Sequence, residues 1–237
     1  MFNLDINLPV VYSVHQGWVK ENRRITVCSS FKNDFTRSDN PTLLLSILRM
    51  DFKDFKKVIE VKGPEVAVNS LLFYGPVFYF QNDQKKYFFF KHKLSEKLDI
   101  HTNDIEIVGS ARLGFSLNRE KFGKPFGKES DIDVAIVSNR LFERAWLDLI
   151  SIKGERLFEL LPKEKANLTQ CQSDIYWGYV SPERIPSRVG FSKWWWPIFE
   201  EMSLSEKRKV RARLFMSWKR AEMHYSYTIQ KVLKSLS

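Results

Sequence analysis

The strongest constraint on the fold comes from two short apolar runs that each carry polar residues at one end. The first, DIEIVGS, spans residues 104–110 and closes on a Gly-Ser pair. The second, DIDVAIV, spans residues 131–137 and opens with two aspartates. Short β-branched runs that are bounded by turn residues and charges predict β-strands. We therefore expect two strands of one sheet, joined by a loop that is rich in Gly, Lys and Phe.

The two aspartates predict a metal site. Side chains at positions i and i+2 of a strand point to the same side, so Asp131 and Asp133 present two carboxylates together. Ile132 and Val134 then face a core. Adjacent carboxylates repel each other unless a cation lies between them, and Mg²⁺ binds one or two carboxylates together with phosphate oxygens. We predict that Asp131 and Asp133 hold Mg²⁺ or Mn²⁺ and act in catalysis, where such an ion neutralises charge on a transferred phosphoryl group.

The segment that precedes these aspartates predicts contacts to a polyphosphate. Gly109 lets backbone amides approach a phosphate, and the Ser110 hydroxyl can donate to it. The loop supplies cations that would balance a triphosphate, although its lysines could equally serve only to solubilise the loop. The basic residues are Arg112, Arg119, Lys121, Lys124 and Lys128. The predicted nucleotide contacts are Gly109, Ser110, Arg112 and Lys128.

The combined pattern GSARLGFSL…ESDIDVAIV resembles the GS…DxD signature of the DNA polymerase β-type nucleotidyltransferase superfamily. The resemblance covers residues 86–160 and transfers the family's site to Gly109, Ser110, Asp131 and Asp133. It implies an α+β fold in which a mixed sheet is flanked by helices. It also implies an enzyme that binds Mg²⁺ with an NTP or dNTP and transfers a nucleotidyl group to a hydroxyl or phosphate.

Two departures from the family pattern have consequences. The gap between Ser110 and Asp131 is longer than is usual in the family, which implies an inserted loop. Many members also use a third acid on a later strand. Asp174, at the expected start of a strand in QSDIYWGYV, is the predicted third catalytic acid, and Glu183 is the weaker choice. If neither serves, the chain binds nucleotide without turning it over.

The chain also resembles nucleotidyltransferase-like proteins of bacterial antiphage operons, including the Hailong type. That type resembles a template-independent polymerase primed from a tyrosine, a part that Tyr225 or Tyr227 would play here. The acceptor is then a nucleic acid, a protein or another nucleotide, and an operon partner protein is implied. The alternatives are a catalytically weak binding or regulatory module, and one half of a toxin–antitoxin pair.

The composition of the chain is consistent with a polyanionic partner. The formal net charge of +10 attracts polyanions such as nucleic acid or nucleoside triphosphates. Aromatic residues make up 14% of the chain, and large rings either fill a core or stack on nucleobases. Cys28 and Cys171 match no metal or redox spacing. No apolar run is long enough to cross a membrane, and we predict a cytoplasmic location.

Periodicity and turn residues predict the remaining elements. Strands are expected at residues 10–14, 24–31 and 175–180, an extended segment at 70–80, a mainly loop segment at 172–197, and helices at 42–61, 86–99, 141–161 and 203–236. The last helix would begin with a capping box at Ser203 and carry the basic residues 207–220, as a solvated face or a partner surface. The predicted divisions are an α/β extension (1–85), a nucleotidyltransferase core (86–180) and a loop with a C-terminal helical region (181–237).

Overall fold

The computed structural model describes residues 11–13, 18–20, 51–81, 83–155, 161–187 and 189–234. The chain forms two compact units, Met1–Asn40 and Pro41–Ser237. In the first unit, strands β1 (Val11–Ser13) and β2 (Trp18–Lys20) pair in antiparallel orientation. The strand predicted at residues 10–14 is confirmed by β1. The strand predicted at 24–31 and the first part of the helix predicted at 42–61 lie outside the described residues.

The second unit contains a four-stranded mixed sheet with the order β3-β4-β6-β5. Its strands are β3 (Ile105–Val108), β4 (Ile132–Val137), β5 (Tyr179–Val180) and β6 (Val210–Phe215). The β3–β4 and β5–β6 pairs are antiparallel, and the central β4–β6 pair is parallel. The predicted α+β class is confirmed. Because β6 lies between β4 and β5, the sheet extends past the predicted division at residue 180.

Eight α-helices surround this sheet in the described part of the chain. They are α1 (Phe52–Lys62), α2 (Pro64–Ala67), α3 (Gln84–Leu98), α4 (Ser110–Leu113), α5 (Asn139–Glu155), α6 (Pro162–Tyr176), α7 (Gly190–Glu206) and α8 (Trp218–Lys234). Asp51 and Asp83 cap α1 and α3 by accepting hydrogen bonds from backbone amides three residues on. No described helix is long and apolar enough to cross a membrane.

The core lies on both faces of β4. Ile132, Val134 and Ile136 belong to a large cluster with residues of α3, α5 and α7, which includes the fully buried Trp195. Ala135 and Val137 belong to a second cluster, with residues of α1 and α8. A strand that is buried on both faces has a continuous apolar sequence and not an alternating one. Residues 134–137 of β4 have such a continuous apolar sequence. The prediction that Ile132 and Val134 face a core is confirmed.

A buried polar network joins α3, β3 and α4, and we call Tyr87, Lys91, Glu106 and Arg112 the closed cluster. Glu106 accepts from the Tyr87 hydroxyl and from Lys91 Nζ at 2.7 Å. Arg112 Nη1 donates to Glu106 Oε2 at 2.7 Å. The same guanidinium donates to three backbone carbonyls, those of Phe73, Gly75 and Ile107.

The continuous helix predicted at residues 203–236 is wrong in its first half, and its second half is confirmed by α8. Helix α7 ends at Glu206, Lys207 adopts a left-handed conformation, and β6 follows before α8 begins. Val210 and Leu214 are four residues apart, a spacing that fits one face of a helix and one face of a strand equally well. Ser203 does not start a helix. Its hydroxyl accepts a hydrogen bond from the Val210 amide at 2.9 Å and so joins the end of α7 to the start of β6.

Three other segments also differ from prediction. Residues 70–80 are not extended, because Val68–Phe73 forms a π-helical continuation of α2 and Phe78–Phe80 a 3₁₀ turn. Residues 172–197, predicted to be mainly loop, are about half helical, as the end of α6 and the start of α7, with β5 and a 3₁₀ turn at Pro182–Arg184 between them. Pro162 opens α6 at its first turn, where proline costs no hydrogen bond, and does not merely stop the preceding helix. The helix predicted at 86–99 is confirmed by α3.

Candidate active site

A cleft of about 1090 Å³ opens at the end of the sheet where β3 finishes and β4 and β6 begin. One wall is formed by the β3–α4 turn and residues 116–120 of the loop that follows, and the other by β5, β6 and α8. Binding sites for small molecules usually enclose about 300–1,000 Å³. The cleft is therefore large enough for a nucleotide together with part of a second reactant.

The Gly-Ser turn lies directly against Asp133. Val108 and Asp133 are opposite each other in the antiparallel β3–β4 register, and Gly109 follows at the cleft floor. Gly109 has φ 63° and ψ −144°, a conformation that essentially only glycine adopts. A Cβ at this position would lie 3.3 Å from Asp133 Oδ2. The turn thus needs glycine both for its backbone conformation and for its approach to the carboxylate.

Asp133 occupies an unusual electrostatic environment. Its side chain reaches solvent through the cleft, while protein surrounds it on the other sides. This desolvation is the main reason that its pKa rises to about 6. Repulsion from Asp131 and Glu183 raises the pKa further, and Arg213 and Arg211 oppose the rise. The carboxylates of Asp131 and Glu183 therefore both repel that of Asp133. The i, i+2 spacing of Asp131 and Asp133 predicts the first of these two interactions.

Arg211 lies among these acids. Its Nε is 3.1 Å from Asp131 Oδ2 and 3.9 Å from Glu183 Oε2. The parallel β4–β6 register sets Arg211 beside Asp133. We call Asp131, Asp133, Glu183, Arg211 and Arg213 the cleft cluster. All of its members line the cleft except Asp131, which adjoins it through Arg211.

Arg213 is held in position by a histidine. Its Nη1 lies 2.5 Å from His224 Nε2, and its guanidinium lies over the Tyr179 ring. Burial, and secondarily Arg213 itself, lowers the pKa of His224 to about 3. The imidazole is therefore neutral and accepts the hydrogen bond. No carboxylate pairs with Arg213 among the described residues, so its charge is available to an anionic ligand.

The structure does not bring Asp174 into this site. Asp174 lies inside α6 and not at the start of a strand, which begins only at Tyr179. It is fully buried, accepts from Arg184 Nη1 at 2.6 Å and from Gln170 Nε2 at 3.1 Å, and does not line the cleft. Its carboxylate stabilises the fold locally. The acid that lines the cleft beside Asp133 is Glu183, the weaker choice from sequence.

Two predicted nucleotide contacts are also corrected. Arg112 lines no part of the cleft, because its guanidinium is buried in the closed cluster and donates to Glu106 and to backbone carbonyls around that cluster. Lys128 is exposed in the loop outside the cleft, and its backbone carbonyl accepts from Arg208. Gly109, Ser110 and Arg119 line the cleft.

The segment between the Gly-Ser turn and Asp131 forms a compact loop. Phe115 and Pro125 form an isolated bridge, and Ser116 exchanges backbone hydrogen bonds with Lys124 and Gly123. The tip of the loop, including Arg119, lines the cleft, whereas Lys121 and Lys124 do not.

The two candidate priming tyrosines both lie on α8 and line the cleft. The Tyr227 side chain is exposed, whereas Tyr225 is partly buried, and this burial raises its pKa above the usual range. Sequence reasoning missed Arg211, Arg213 and His224 as site residues. The alternation in VRARLF was the signal that could have found the first two, since it places both arginines on one face of a strand.

The acids of the cleft cluster have the chemistry that a hard divalent cation requires. Asp131, Asp133 and Glu183 supply only carboxylate oxygens, which is the chemistry that Mg²⁺ and Mn²⁺ prefer. Within the described residues, however, no group of three or more His, Cys, Asp or Glu side chains is arranged to hold a metal ion. Arg211 is the cation that the acids contact. The donor set fits the metal, and binding would require Arg211 to move aside.

No protein-family model matches the chain, and no curated protein and no solved structure matches it.

Proposed function

We propose that this chain is a metal-dependent nucleotidyltransferase with a polymerase β-like core. It would move a nucleotidyl group from an NTP or dNTP to a hydroxyl acceptor. The observation that carries the proposal is the Gly109 turn packed against Asp133, with two further acids and two arginines around it in an open cleft. Carboxylates for a cation beside donors for a polyphosphate are the two requirements of this chemistry.

Each part of the site has a role in this proposal. Asp131 and Asp133, with Glu183 in place of Asp174, would hold Mg²⁺ or Mn²⁺. When bound, such an ion neutralises phosphate charge and lowers the pKa of a coordinated hydroxyl. Ser110 and the neighbouring backbone amides would bind the terminal phosphates. Arg213, which His224 orients, would balance the negative charge of the triphosphate tail.

Arg211 would change partners during the cycle. Without a ligand it offsets the repulsion among the acids, at 3.1 Å from Asp131 and 3.9 Å from Glu183. With metal and nucleotide present, the acids would contact the metal, and the guanidinium would turn to a phosphate. The exposed hydroxyl of Tyr227 makes self-priming one form of this proposal. The antiphage role, the operon partner and the toxin–antitoxin role rest on the sequence resemblance alone.

The test measures transfer of label from each NTP and dNTP with Mg²⁺ or Mn²⁺. We expect incorporation into protein or added oligonucleotide by the wild type, and background levels in an Asp131→Ala/Asp133→Ala double variant. Glu129→Ala is the matched control, because Glu129 is an exposed acid two residues before Asp131 that does not line the cleft. Equal incorporation by the wild type and the double variant would refute the proposal.

The ion pairs of Arg211 favour a second candidate, a nucleotide-binding module without turnover. A guanidinium that supplies the charge of a metal ion permanently would allow a triphosphate to bind at Arg213 without activating any acceptor. Nucleotide binding that needs no metal, with no product from any nucleotide in Mg²⁺ or Mn²⁺, would support this candidate. Metal-dependent product formation would exclude it.

A further inference from the structure

Three exposed aromatic rings lie together at the rim of the cleft. Tyr176 and Trp177, at the end of α6, are 79% and 51% exposed, and Tyr227 of α8 is 62% exposed. The Trp177 and Tyr227 rings are nearly parallel, with an interplanar angle of 16° and 6.3 Å between centroids. Tyr176 meets Trp177 edge-on at 5.6 Å. We call these three residues the rim platform.

The rim platform has the properties of a stacking site. Single exposed aromatics are ordinary on protein surfaces, but a group of three leaves a continuous apolar area in contact with water. Nucleobases stack on such rings regardless of their sequence, and each stacked base strengthens binding roughly five- to hundredfold. Trp177 and Tyr227 line the cleft whose floor carries Asp133, so a base on the platform would belong to a molecule that also reaches the floor.

Two cations flank the rings. The Arg220 side chain packs over Gly178, the neighbour of Trp177, where an added Cβ would lie 2.8 Å from Arg220 Cδ. Lys231 lies one helical turn after Tyr227 on α8 and lines the cleft. Within the described part of the chain, neither side chain pairs with a carboxylate. Their charge is therefore available for the phosphates of a backbone that follows the rings.

We propose that the acceptor is a single-stranded nucleic acid whose bases stack on the rim platform while its terminal hydroxyl enters the cleft. This deepens the proposed function and rests on it for the transfer step. The hydroxyl oxygen would bond to the α-phosphorus of the nucleotide, the bond from that phosphorus to pyrophosphate would break, and the hydroxyl proton would leave to water.

The position of the cations favours an acceptor strand over the base of the incoming nucleotide. Arg220 packs beside the rings at Gly178 but does not line the cleft, so one of the two cations lies outside the cleft lining. An incoming nucleotide has its phosphates at the cleft floor, near Ser110 and Arg213, and would leave no phosphate for Arg220. A strand that leaves the cleft over the rings supplies one.

Direct binding tests this inference without metal or nucleotide. We would measure the anisotropy of a short labelled single-stranded oligonucleotide with the wild type and with Trp177→Ala/Tyr227→Ala. We expect the double variant to bind roughly tenfold or more weakly, since each ring can hold a base. Tyr74→Ala is the matched control, because Tyr74 is 86% exposed and lies outside the cleft lining. Far-ultraviolet circular dichroism and urea denaturation report whether each variant keeps its fold.

A salt titration provides a second readout that a folding defect would not mimic. Arg220→Gln/Lys231→Gln should reduce the slope of log Kd against log salt by about 1 to 2, with the rings intact. No binding of single strands by the wild type, or equal binding by the ring variant, would overturn the inference. So would a ring variant that loses Mn²⁺–NTP affinity but keeps its oligonucleotide affinity.

The two proposals fail separately. If single strands bind through the rings but no nucleotide is transferred in any metal, the proposed function fails and the binding surface stands. If nucleotide is transferred to another acceptor while the ring variant is as active as the wild type, the enzyme stands and this inference fails.

Discussion

The closed cluster and the cleft cluster both contain carboxylates beside arginine guanidinium groups. In the first these groups are buried and hydrogen-bonded to one another, and in the second they lie at an open cleft. In the closed cluster, Arg112 has a side chain only 3% exposed, bonded to Glu106 and to three carbonyls. In the cleft cluster, Arg211 is partly exposed, and its carboxylate contacts within the described residues are the longer ones to Asp131 and Glu183. A buried charge is tolerated when an opposite charge and hydrogen bonds compensate it, as they do at both terminal nitrogens of Arg112. A charge in an open cleft with fewer such contacts can accept a ligand. The comparison separates arginines that stabilise the fold from those that bind.

The largest expected effect comes from removing the arginine of the closed cluster. Arg112→Met removes one of the donors to Glu106 and takes the guanidinium away from the buried Phe73 and Gly75 carbonyls. We therefore expect the free energy of unfolding to fall by about 3–5 kcal/mol. Arg211→Gln, which breaks exposed ion pairs, should lower it by less than about 1 kcal/mol. Urea denaturation of both variants checks the difference. Similar losses in both would mean that the two clusters are not distinct.

The Gly-Ser turn places the unusual backbone conformation of Gly109 directly beside Asp133 of the cleft cluster. Gly109→Ala should cost about 1–3 kcal/mol because alanine disfavours this conformation. It should also weaken nucleotide binding, because the new Cβ lies 3.3 Å from Asp133 Oδ2. Gly127→Ala is the control, since a Cβ there meets nothing within 4 Å. Thermal melts and nucleotide titrations measure the two effects, and a Gly109→Ala protein that matches the control in both would contradict the description of the turn.

The pH dependence of stability tests the cleft further, because the pKa values of two of its residues are shifted in opposite directions. Burial lowers the pKa of His224 and raises that of Asp133. The folded-state pKa of His224, about 3, is below its ordinary value of 6.5, so the stability it contributes above pH 6.5 is lost as the pH falls toward 3. The folded-state pKa of Asp133, about 6, is above its ordinary 3.8, so folding becomes more favourable as the pH falls from 6 to 3.8.

We therefore expect His224→Gln to lose less stability than the wild type between about pH 6.5 and about pH 4, and Asp133→Asn to lose more. Denaturant midpoints across this range measure both slopes. Shifts of the same sign in the two variants would rule out the electrostatic description of the cleft.

The smallest expected effect concerns the cation among the acids. In the absence of nucleotide, removing the Arg211 charge should strengthen Mn²⁺ binding by about a few-fold, because the guanidinium competes with the metal for Asp131 and Glu183. Calorimetry of Arg211→Gln measures this affinity. Arg140→Gln serves as the control, because Arg140 pairs with the exposed Asp99 away from the cleft lining. Unchanged or weaker Mn²⁺ binding by Arg211→Gln would show that Arg211 does not occupy the cation's place.

The parts of the site that follow from local geometry could be predicted from the sequence. The alternation of side chains along a strand brought Asp131 and Asp133 together, and the glycine at position 109 fixed the turn beside them. The parts that depend on long-range pairing could not be predicted. Arg211 and Arg213 enter the cleft only because β6 pairs with β4, and Val210 and Leu214 fit a helix equally well.

The mistaken site residues have physical causes of the same kind. Arg112 was expected to bind phosphate because it lies in a Gly- and Lys-rich segment, but the carbonyls that bury it come from Phe73 and Gly75, far away in sequence. Asp174 and Glu183 were ranked by an expected strand start. The strand begins only after Gly178, so Asp174 lies in helix α6 and Glu183 lies after the strand, at the cleft.

The late position of β6 in the chain has a consequence for biosynthesis. Residues 132–137 leave the ribosome well before residues 210–215, so one edge of the central strand waits without its neighbour while α5, α6 and α7 are made. An apolar strand with an open edge is prone to pair wrongly. Any nascent chain or fragment that stops before residue 210 would lack both the strand that completes the sheet and the two arginines of the cleft, and would be a chaperone client rather than a smaller version of the protein.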